Sequence, residues 1–215
     1  MQGWTFTLPW RNSAWKPFDK KLYEMTRFED IKAFAFDVDG VFTDGLVLAM
    51  PDGDLLRQFN SKDCFAVRTA ADNGYPCAII TGGVSQSILH RARSLGVTDA
   101  YLYMLSKDKE ADLLHFCRKT GLDPAQVAYV GDDLPDLPAI RLAGIGACPA
   151  DAVAEVRAEA DFVSPYNGGR GCIRDLVERV LKPQGRWTFD PKDPWKGSHP
   201  DNITKFAGMT GRNLG

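Results

Sequence analysis

Hydrophobic residues between positions 31 and 182 form short apolar runs separated by longer amphipathic stretches. The apolar runs are typical of buried strands and lie at about 31–37, 77–81, 100–103, 127–130 and 145–148. The amphipathic stretches have helical period and lie at about 61–73, 85–95, 107–119, 136–142, 153–159 and 173–181. This alternation predicts an α/β fold with a Rossmann-like, mainly parallel sheet and helices on both faces, because parallel strands need crossover connections.

One pair of segments departs from this order. Residues 46–50 and 55–59 are short and apolar, and they flank a turn-rich PDGD sequence. This arrangement predicts a small β-hairpin, which we call the flap. The strand at 31–37 ends in the turn-rich segment DGVFTDG, so that Asp37 lies at its tip. Ligands of such sheets bind at the carboxyl ends of the strands.

The periodic region predicts one domain at 31–182, with the flap inside it and no large cap domain. Residues 1–30 and 183–215 are rich in Pro, Gly and Trp and lack sustained periodicity, so we interpret them as an N-terminal and a C-terminal arm. Exposed tryptophans would be costly, so the arms either pack on the body or a neighbouring subunit, or are partly disordered. The tryptophans concerned are Trp4, Trp10, Trp15, Trp187 and Trp195.

Composition excludes several classes of function. The 26 Lys and Arg residues nearly balance the 28 Asp and Glu residues, so no strong field gathers nucleic acid or anionic membrane. No apolar stretch has membrane-spanning length, and the N-terminus has no continuous signal-like apolar region. Five cysteines without a CxxC pair indicate neither a disulfide framework nor a zinc site. We expect a cytoplasmic protein with reduced thiols and no nucleic-acid or membrane partner.

Four segments place chemically suitable side chains at strand ends or at a helix start. They carry Asp37 with Asp39, then Thr81, Lys109 and Asp132. Neighbouring carboxylates repel one another, so a cation is implied, and oxygen ligands of this kind match Mg²⁺. Because Lys109 and the Thr81 hydroxyl can hold phosphate oxygens, the set predicts a phosphate site. Two alternatives remain: Asp37–Asp39 could serve only as a turn, and the charged helix start at 107–109 could be only solvated. As the phosphate-binding lysine, Lys109 is favoured over Lys107 by its spacing before GDD.

The chemistry that this set predicts begins with attack by Asp37 on a phosphoryl group, which gives an aspartyl-phosphate. Asp39 protonates the leaving alcohol and then, as a carboxylate, activates the water that hydrolyses the intermediate. Asp133 and Asp136 could be metal ligands, hydrogen-bond partners of the ligands or helix caps, and the last two roles are favoured.

These motifs resemble the haloacid dehalogenase superfamily of phosphatases, through DVDGV, IITG, Lys109 and GDDLPD. More narrowly, FDVDGVFTDG, FNSKD, YVGDDLPDLP and GGRGCIRDLVERVL are similar to the capless branch that contains 3-deoxy-D-manno-octulosonate 8-phosphate phosphatase. The resemblance covers about residues 31–182. It implies a flap over residues 41–60 and a homotetramer in which neighbouring subunits help to close each active site.

The resemblance also implies site residues. Mg²⁺ would be bound by Asp37, the backbone carbonyl of Asp39, and Asp132. Arg91 would face the carboxylate of a sugar acid, although surface charge is its alternative role. The remaining substrate-binding residues are Asn60, Ser61, Lys62, Asp63, Cys64, Thr81, Gly82 and Lys109. Cys64 stands where this pattern usually has glycine, and Gly83 stands where many relatives have arginine or another large polar residue.

The residues predict a Mg²⁺-dependent phosphatase, and the resemblance implies that its substrate is 3-deoxy-D-manno-octulosonate 8-phosphate in lipopolysaccharide sugar synthesis. Two alternatives stay open. One is a phosphatase for a sialic-acid-type 9-phosphate, which Cys64 and Gly83 leave in consideration. The other is a non-catalytic oligomerisation module linked to a nucleotide-sugar synthetase, which the aromatic arms favour and the intact Asp37 and Asp39 disfavour.

Overall fold

The structure is a computed structural model that describes residues 28–51, 53–188 and 192. The strands are β1 (Ala33–Phe36), β2 (Leu48–Ala49), β3 (Leu55–Leu56), β4 (Cys77–Ile80), β5 (Leu102–Tyr103), β6 (Val127–Val130), β7 (Ile145–Cys148) and β8 (Phe162–Val163). The α-helices with described bounds are α1 (Ser61–Asp72), α2 (Gln86–Ser94), α3 (Lys109–Thr120), α4 (Leu137–Leu142), α5 (Ala154–Glu159) and α6 (Cys172–Leu181).

Six strands form one parallel sheet in the order β5-β4-β1-β6-β7-β8. In the central strand β1, Phe36 is paired with Ile79 of β4 and with Val130 of β6. The segments that follow these three strands therefore leave the sheet at the same edge. This topology confirms the predicted parallel sheet and places Asp37 next to the ends of β4 and β6.

Side chains alternate across β1 and divide the core into two layers. Phe34 and Phe36 pack with residues of α1, α2 and α6 on one face. Ala33 and Ala35 pack with residues of α3, α4 and α5 on the other. The small alanines leave room on the second face for Phe116 and for the buried Tyr129. Helices cover both faces, as the alternating pattern predicts.

Several element bounds differ from those predicted. β8 was not predicted, because it has only two residues and lies between Asp161 and Ser164. The run at 100–103 forms a strand only over its last two residues and begins in a 3-10 turn. The helix expected from residue 107 begins at Lys109, because the side chain of Asp108 accepts a hydrogen bond from the N–H of Ala111 and caps it.

The flap is present as an antiparallel hairpin, but its paired part is short. Among its described residues, strand pairing joins Leu48 to Leu56 and Ala49 to Leu55, whereas the sequence suggested longer strands at 46–50 and 55–59. The side chains of Leu46 and Leu48 are 75% and 63% exposed. A short, apolar and solvent-facing hairpin has little to stabilise it within one subunit.

Most of both predicted arms lies outside the described residues, including Trp4, Trp10, Trp15 and Trp195. Trp187 does pack on the body, where its ring lies edge-on to Phe65 and 5.5 Å from the guanidinium carbon of Arg174. In the part of the chain that the structure describes, no helix is long and apolar enough to cross a membrane. All five cysteines are buried and free, as expected for reduced thiols.

Candidate functional site

The site is centred on Asp37, the first residue after β1. Its N–H donates a hydrogen bond to the carbonyl of Val130, and the chain then turns sharply around the carbonyl of Val38. Gly40 adopts a positive φ of 80° in this turn, and a Cβ there would lie 1.9 Å from Oδ2 of Asp132. Only glycine therefore allows the loop after β1 and the loop after β6 to approach so closely.

Lys109 lies directly beside Asp37. Its Nζ is 3.0 Å from Oδ2 of Asp37 and donates a hydrogen bond of 2.6 Å to Oδ1 of Asp136. Burial alone would lower the pKa of Lys109, but the charges of Asp37 and Asp136 outweigh burial and raise that pKa. The buried side chain is thus a cation at the start of α3, whereas the Lys107 side chain is exposed. The geometry favours Lys109 over Lys107.

Asp136 connects Lys109 to the loop that follows β6. Its Oδ1 accepts hydrogen bonds from Lys109 and from the hydroxyl of Tyr129, and its Oδ2 accepts the N–H groups of Asp132 and Asp133. The side chain of Asp133 accepts the N–H of Leu134 at a 3-10 turn. These are the hydrogen-bonding and capping roles that were favoured for the two aspartates. Tyr129 was missed because it looks like an ordinary residue of a buried strand.

Carboxylate oxygens of Asp37, Asp132 and Asp136 all lie within 4.8 Å of one another. Burial, and then repulsion from Asp136, raise the pKa of Asp37 to about 7. Burial, and then repulsion from Asp37, raise the pKa of Asp132 to about 7 as well. A divalent cation with oxygen ligands relieves such repulsion, so the donor set fits Mg²⁺. Since Asp136 already accepts four hydrogen bonds, Asp37 and Asp132 are the better-placed ligands.

The side chain of Asp39 is partly exposed and is held by an arginine of the flap. Nε and Nη2 of Arg57 donate hydrogen bonds of 2.6 and 2.9 Å to the two carboxylate oxygens of Asp39. Arg57 was not among the predicted site residues. The only signal in the sequence was a lone arginine in the LLRQF segment of the predicted flap.

Thr81 follows β4, next to β1. The Thr81 side chain is buried, and its Oγ1 accepts the N–H of Gly83. This bond folds the Thr81–Gly83 turn at the edge of the sheet from which Asp37 also emerges. Thr81 and Gly82 therefore lie where the sequence placed them, one strand away from the candidate nucleophile.

Only the first part of the segment 60–64 reaches solvent. Asn60 caps α1, and its Nδ2 donates to the carbonyl of Gly169. Ser61 and Lys62 are exposed at the helix start.

The structure does not place Asp63 and Cys64 as predicted. Both oxygens of the fully buried Asp63 accept N–H groups at the start of α6, from Gly171 and Arg174. Cys64 is 2% exposed and packs in the core. Their side chains therefore hold the fold together and do not line an open pocket.

Arg91 of α2 lies beside Phe59, the last residue of the predicted flap. Its guanidinium carbon is 5.9 Å from the centre of the Phe59 ring. Burial raises the pKa of the Cys64 thiol, while the charge and a hydrogen bond of Arg91 act in the opposite direction. Arg91 is thus half-buried beside segment 59–64, which favours a site role over plain surface charge.

Comparisons with known proteins agree with this geometry. A profile of haloacid dehalogenase-like hydrolases matches residues 65–144. The chain belongs to the haloacid dehalogenase-like hydrolase family, and its similarity to individual members is substantial. It is 35% identical over 162 residues to the 3-deoxy-D-manno-octulosonate 8-phosphate phosphatase KdsC of Salmonella typhi. The matched region covers 75% of this chain and 85% of the relative.

Two solved structures share the fold. The 3-deoxy-D-manno-octulosonate 8-phosphate phosphatase of Yersinia pestis is 33% identical, with a TM-score of 0.73 and coverage of 78% of this chain and 88% of that one. The enzyme of the same name from Moraxella catarrhalis is also 33% identical, with a TM-score of 0.73 and coverage of 77% and 94%. The latter structure is a complex with a magnesium ion, a phosphate ion and a KDO molecule.

Proposed function

We propose that this chain is a Mg²⁺-dependent phosphatase that hydrolyses 3-deoxy-D-manno-octulosonate 8-phosphate in lipopolysaccharide sugar synthesis. The observation that carries the proposal is the contact of Lys109 with Asp37 and Asp136, next to the acidic pair Asp37 and Asp132. The similarity to phosphatases of that name supports the substrate. Mg²⁺, held by Asp37, Asp132 and the backbone carbonyl of Asp39, would supply positive charge against the repulsion between Asp37 and an anionic phosphate.

In the proposed reaction, a carboxylate oxygen of Asp37 attacks phosphorus, and the bond from phosphorus to the sugar oxygen breaks. Asp39 gives its proton to that oxygen, so the sugar leaves as an alcohol. Asp39 then takes a proton from water, which attacks phosphorus and releases Asp37 and inorganic phosphate. Lys109 and the Thr81 hydroxyl hold phosphate oxygens during both steps.

For substrate binding we propose Asn60, Ser61, Lys62, Gly82 and Arg91. The position of Arg91 beside Phe59 supports a contact with the sugar portion of the substrate. The placement of Asp63 and Cys64 leaves them supporting roles. A nine-carbon, sialic-acid-type 9-phosphate is the second candidate, because Gly83 carries no side chain that could select between the two sugars.

A homotetramer and a cytoplasmic location complete the proposal. The apolar side chains of the flap, among them Leu46 and Leu48, are exposed in a single subunit and would be covered by a neighbour. The free, buried cysteines suit a reducing compartment. Fractionation of cells that produce the protein tests the location, and recovery from the membrane or exported fraction would contradict it.

A panel of phosphate esters tests the activity. Phosphate release with Mg²⁺ is measured for the octulosonate 8-phosphate, a sialic acid 9-phosphate and neutral sugar phosphates. We expect the highest kcat/KM for the octulosonate, and the Asp37→Asn variant should lose turnover while keeping its fold. If no octulosonate or nonulosonate phosphate is hydrolysed, the proposed substrate class is wrong.

A further inference from the structure

Tyr129, the third residue of β6, brings a hydroxyl group into a largely apolar part of the core. Its side chain is fully buried among apolar residues of α3, α4 and the neighbouring strands. Phenylalanine would fill nearly the same space without the cost of burying a polar group. The hydroxyl offsets that cost by donating a hydrogen bond of 2.6 Å to Oδ1 of Asp136. This contact connects the core directly to the candidate site.

Asp136 accepts hydrogen bonds from the core, from α3 and from the loop after β6. Its Oδ1 accepts the Tyr129 hydroxyl and the ammonium group of Lys109, each at 2.6 Å. Its Oδ2 accepts the backbone N–H groups of Asp132 and Asp133, at 3.1 and 3.3 Å. The backbone bonds hold Oδ2 at the loop, while the tyrosine holds Oδ1 from the core. The orientation of the carboxyl group is therefore set by donors other than the flexible lysine.

Lys109 needs such a support, because an ammonium group on a long, flexible side chain does not orient itself. Its Nζ lies 2.6 Å from Oδ1 of Asp136 and 3.0 Å from Oδ2 of Asp37. An ammonium group has three N–H donors, so two can serve these carboxylates while the third faces a phosphate oxygen. Without the Tyr129 hydroxyl, Oδ1 of Asp136 would lose its second donor. The lysine would then be drawn toward Asp136 and away from Asp37.

We propose that Tyr129 is a positioning residue for phosphoryl transfer, whose hydroxyl acts through Asp136 to keep the ammonium group of Lys109 beside Asp37. This inference rests on the proposed function and adds a residue that acts without touching the substrate. A purely structural tyrosine would contribute to the stability of the fold. It would leave the position of Lys109, and therefore the rate of the chemical step, unchanged.

Tyr129→Phe tests the inference, because it removes the hydroxyl and keeps the ring. For 3-deoxy-D-manno-octulosonate 8-phosphate with Mg²⁺, we expect kcat to fall by about 10-fold, the effect of losing one hydrogen bond to a charged group. KM should change by less than about 3-fold, because the groups that bind the sugar are untouched. Orthovanadate copies the five-coordinate phosphorus of the transition state, so its inhibition constant should rise by about the factor by which kcat falls.

Tyr103→Phe is the matched control. Tyr103 belongs to β5 of the same sheet, and its hydroxyl lies 3.0 Å from Nδ1 of His115 on α3. Both variants lose one tyrosine hydroxyl and one side-chain hydrogen bond, but the hydroxyl of Tyr103 is bonded to His115 and not to Asp136. The control should therefore leave kcat, KM and the inhibition constant of orthovanadate unchanged. If it lowered kcat as much as Tyr129→Phe does, the effect would not depend on Asp136.

Lys109→Met separates the proposed route from a general effect on the site. In this background the ammonium group is absent, so adding Tyr129→Phe should lower the residual kcat by less than about 2-fold. If the losses of the two single variants multiply in the double variant, Tyr129 does not act through Lys109 and the proposal is wrong.

The proposal is also contradicted if Tyr129→Phe leaves kcat unchanged, or if it does not fold, since the hydroxyl would then serve stability alone. Circular dichroism and urea midpoints establish the folding of each variant. Failure of the proposed function looks different, because the unaltered protein would then not hydrolyse the sugar acid phosphate. The variants can still be compared on p-nitrophenyl phosphate, a general phosphatase substrate, for which the loss in kcat should be similar. If the unaltered protein hydrolyses neither ester, the inference falls together with the proposed function.

Discussion

Asp37 and Asp132 show how single residues link charge, stability and metal binding. The folded-state pKa of Asp37 is about 7, above its ordinary value of 3.8. A raised pKa contributes stability that is fully present below the ordinary value and is lost as the pH rises through the folded-state value. The metal-free protein should therefore lose stability between about pH 4 and pH 8, where Asp37 and Asp132 become charged.

Urea unfolding with EDTA and with Mg²⁺ tests this expectation. The increase in unfolding free energy that Mg²⁺ produces should be larger at about pH 8 than at about pH 5.5, because protons compete with the metal at the lower pH. In the Asp37→Asn variant the pH dependence without metal should be smaller. A Mg²⁺ effect that is equal at both pH values would contradict the described acidic cluster.

Lys109 offers a second test at the scale of the residue. Lys109→Met leaves the charges of Asp37 and Asp136 buried without their cation. Breaking such a buried pair costs about 3 kcal/mol, and the loss of a group that holds phosphate should lower kcat by about 100-fold or more. Urea denaturation and phosphate release measure the two effects. Lys107→Met, at an exposed neighbour, should change neither, and similar effects of both variants would contradict the assignment.

The sequence was sufficient to predict where most residues of the candidate site lie, because each follows a strand end that hydrophobic periodicity reveals. Asp37, Thr81 and Asp132 are of this kind. Arg57 could not be predicted, because its contact with Asp39 depends on how the flap folds back over the sheet. The role of Asp63 was also hidden, since a buried aspartate and a solvated one look the same in a sequence.

At the scale of the element, Asp63 connects two helices. Its two oxygens satisfy N–H groups at the start of α6 while the residue itself belongs to α1. Burial raises the pKa of Asp63, and the backbone hydrogen bonds only partly oppose that shift. The contact also holds the glycine loop before α6, in which the N–H of Gly169 donates to the carbonyl of Val41, four residues after the candidate nucleophile Asp37.

Asp63→Ala should lower the free energy of unfolding by about 2 to 4 kcal/mol, because it leaves buried N–H groups without their acceptor. Equilibrium unfolding in urea measures this. Asp72→Ala is the control, since it removes an exposed ion pair with Arg68 on the same helix and should cost below about 1 kcal/mol. If Asp63→Ala were as stable as Asp72→Ala, the contact between α1 and α6 would contribute nothing to the free energy of unfolding.

The ends of a helix or strand could be predicted where a capping side chain or a glycine marks them, and not elsewhere. Asp108 and Gly121 limit α3, one through a side-chain cap and the other through a left-handed φ of 69°. β8 has no such signal, because its two residues acquire strand geometry only by pairing with β7. The paired part of the flap is shorter than its apolar pattern suggests. Exposed apolar residues do not by themselves make strand pairs.

At the scale of the whole molecule, the exposed flap is the feature that a single subunit leaves unexplained. If the protein is a tetramer closed by its flaps, Leu48→Glu should shift it toward smaller species, because a charge would be buried at the subunit contact. Sedimentation velocity measures the change. Val163→Glu, at an exposed position of β8, is the control and should keep the assembly of the unaltered protein. A monomeric unaltered protein would contradict the tetramer.

The most direct test of the central claim is to capture the covalent intermediate. The protein is mixed with 3-deoxy-D-manno-octulosonate 8-phosphate and Mg²⁺, quenched in acid during turnover and digested for mass spectrometry. We predict that the peptide containing Asp37 gains the mass of one phosphoryl group, located on Asp37, and that Asp37→Asn shows no such peptide. Turnover with the phosphoryl group on another residue, or persisting in Asp37→Asn, would contradict Asp37 as the nucleophile.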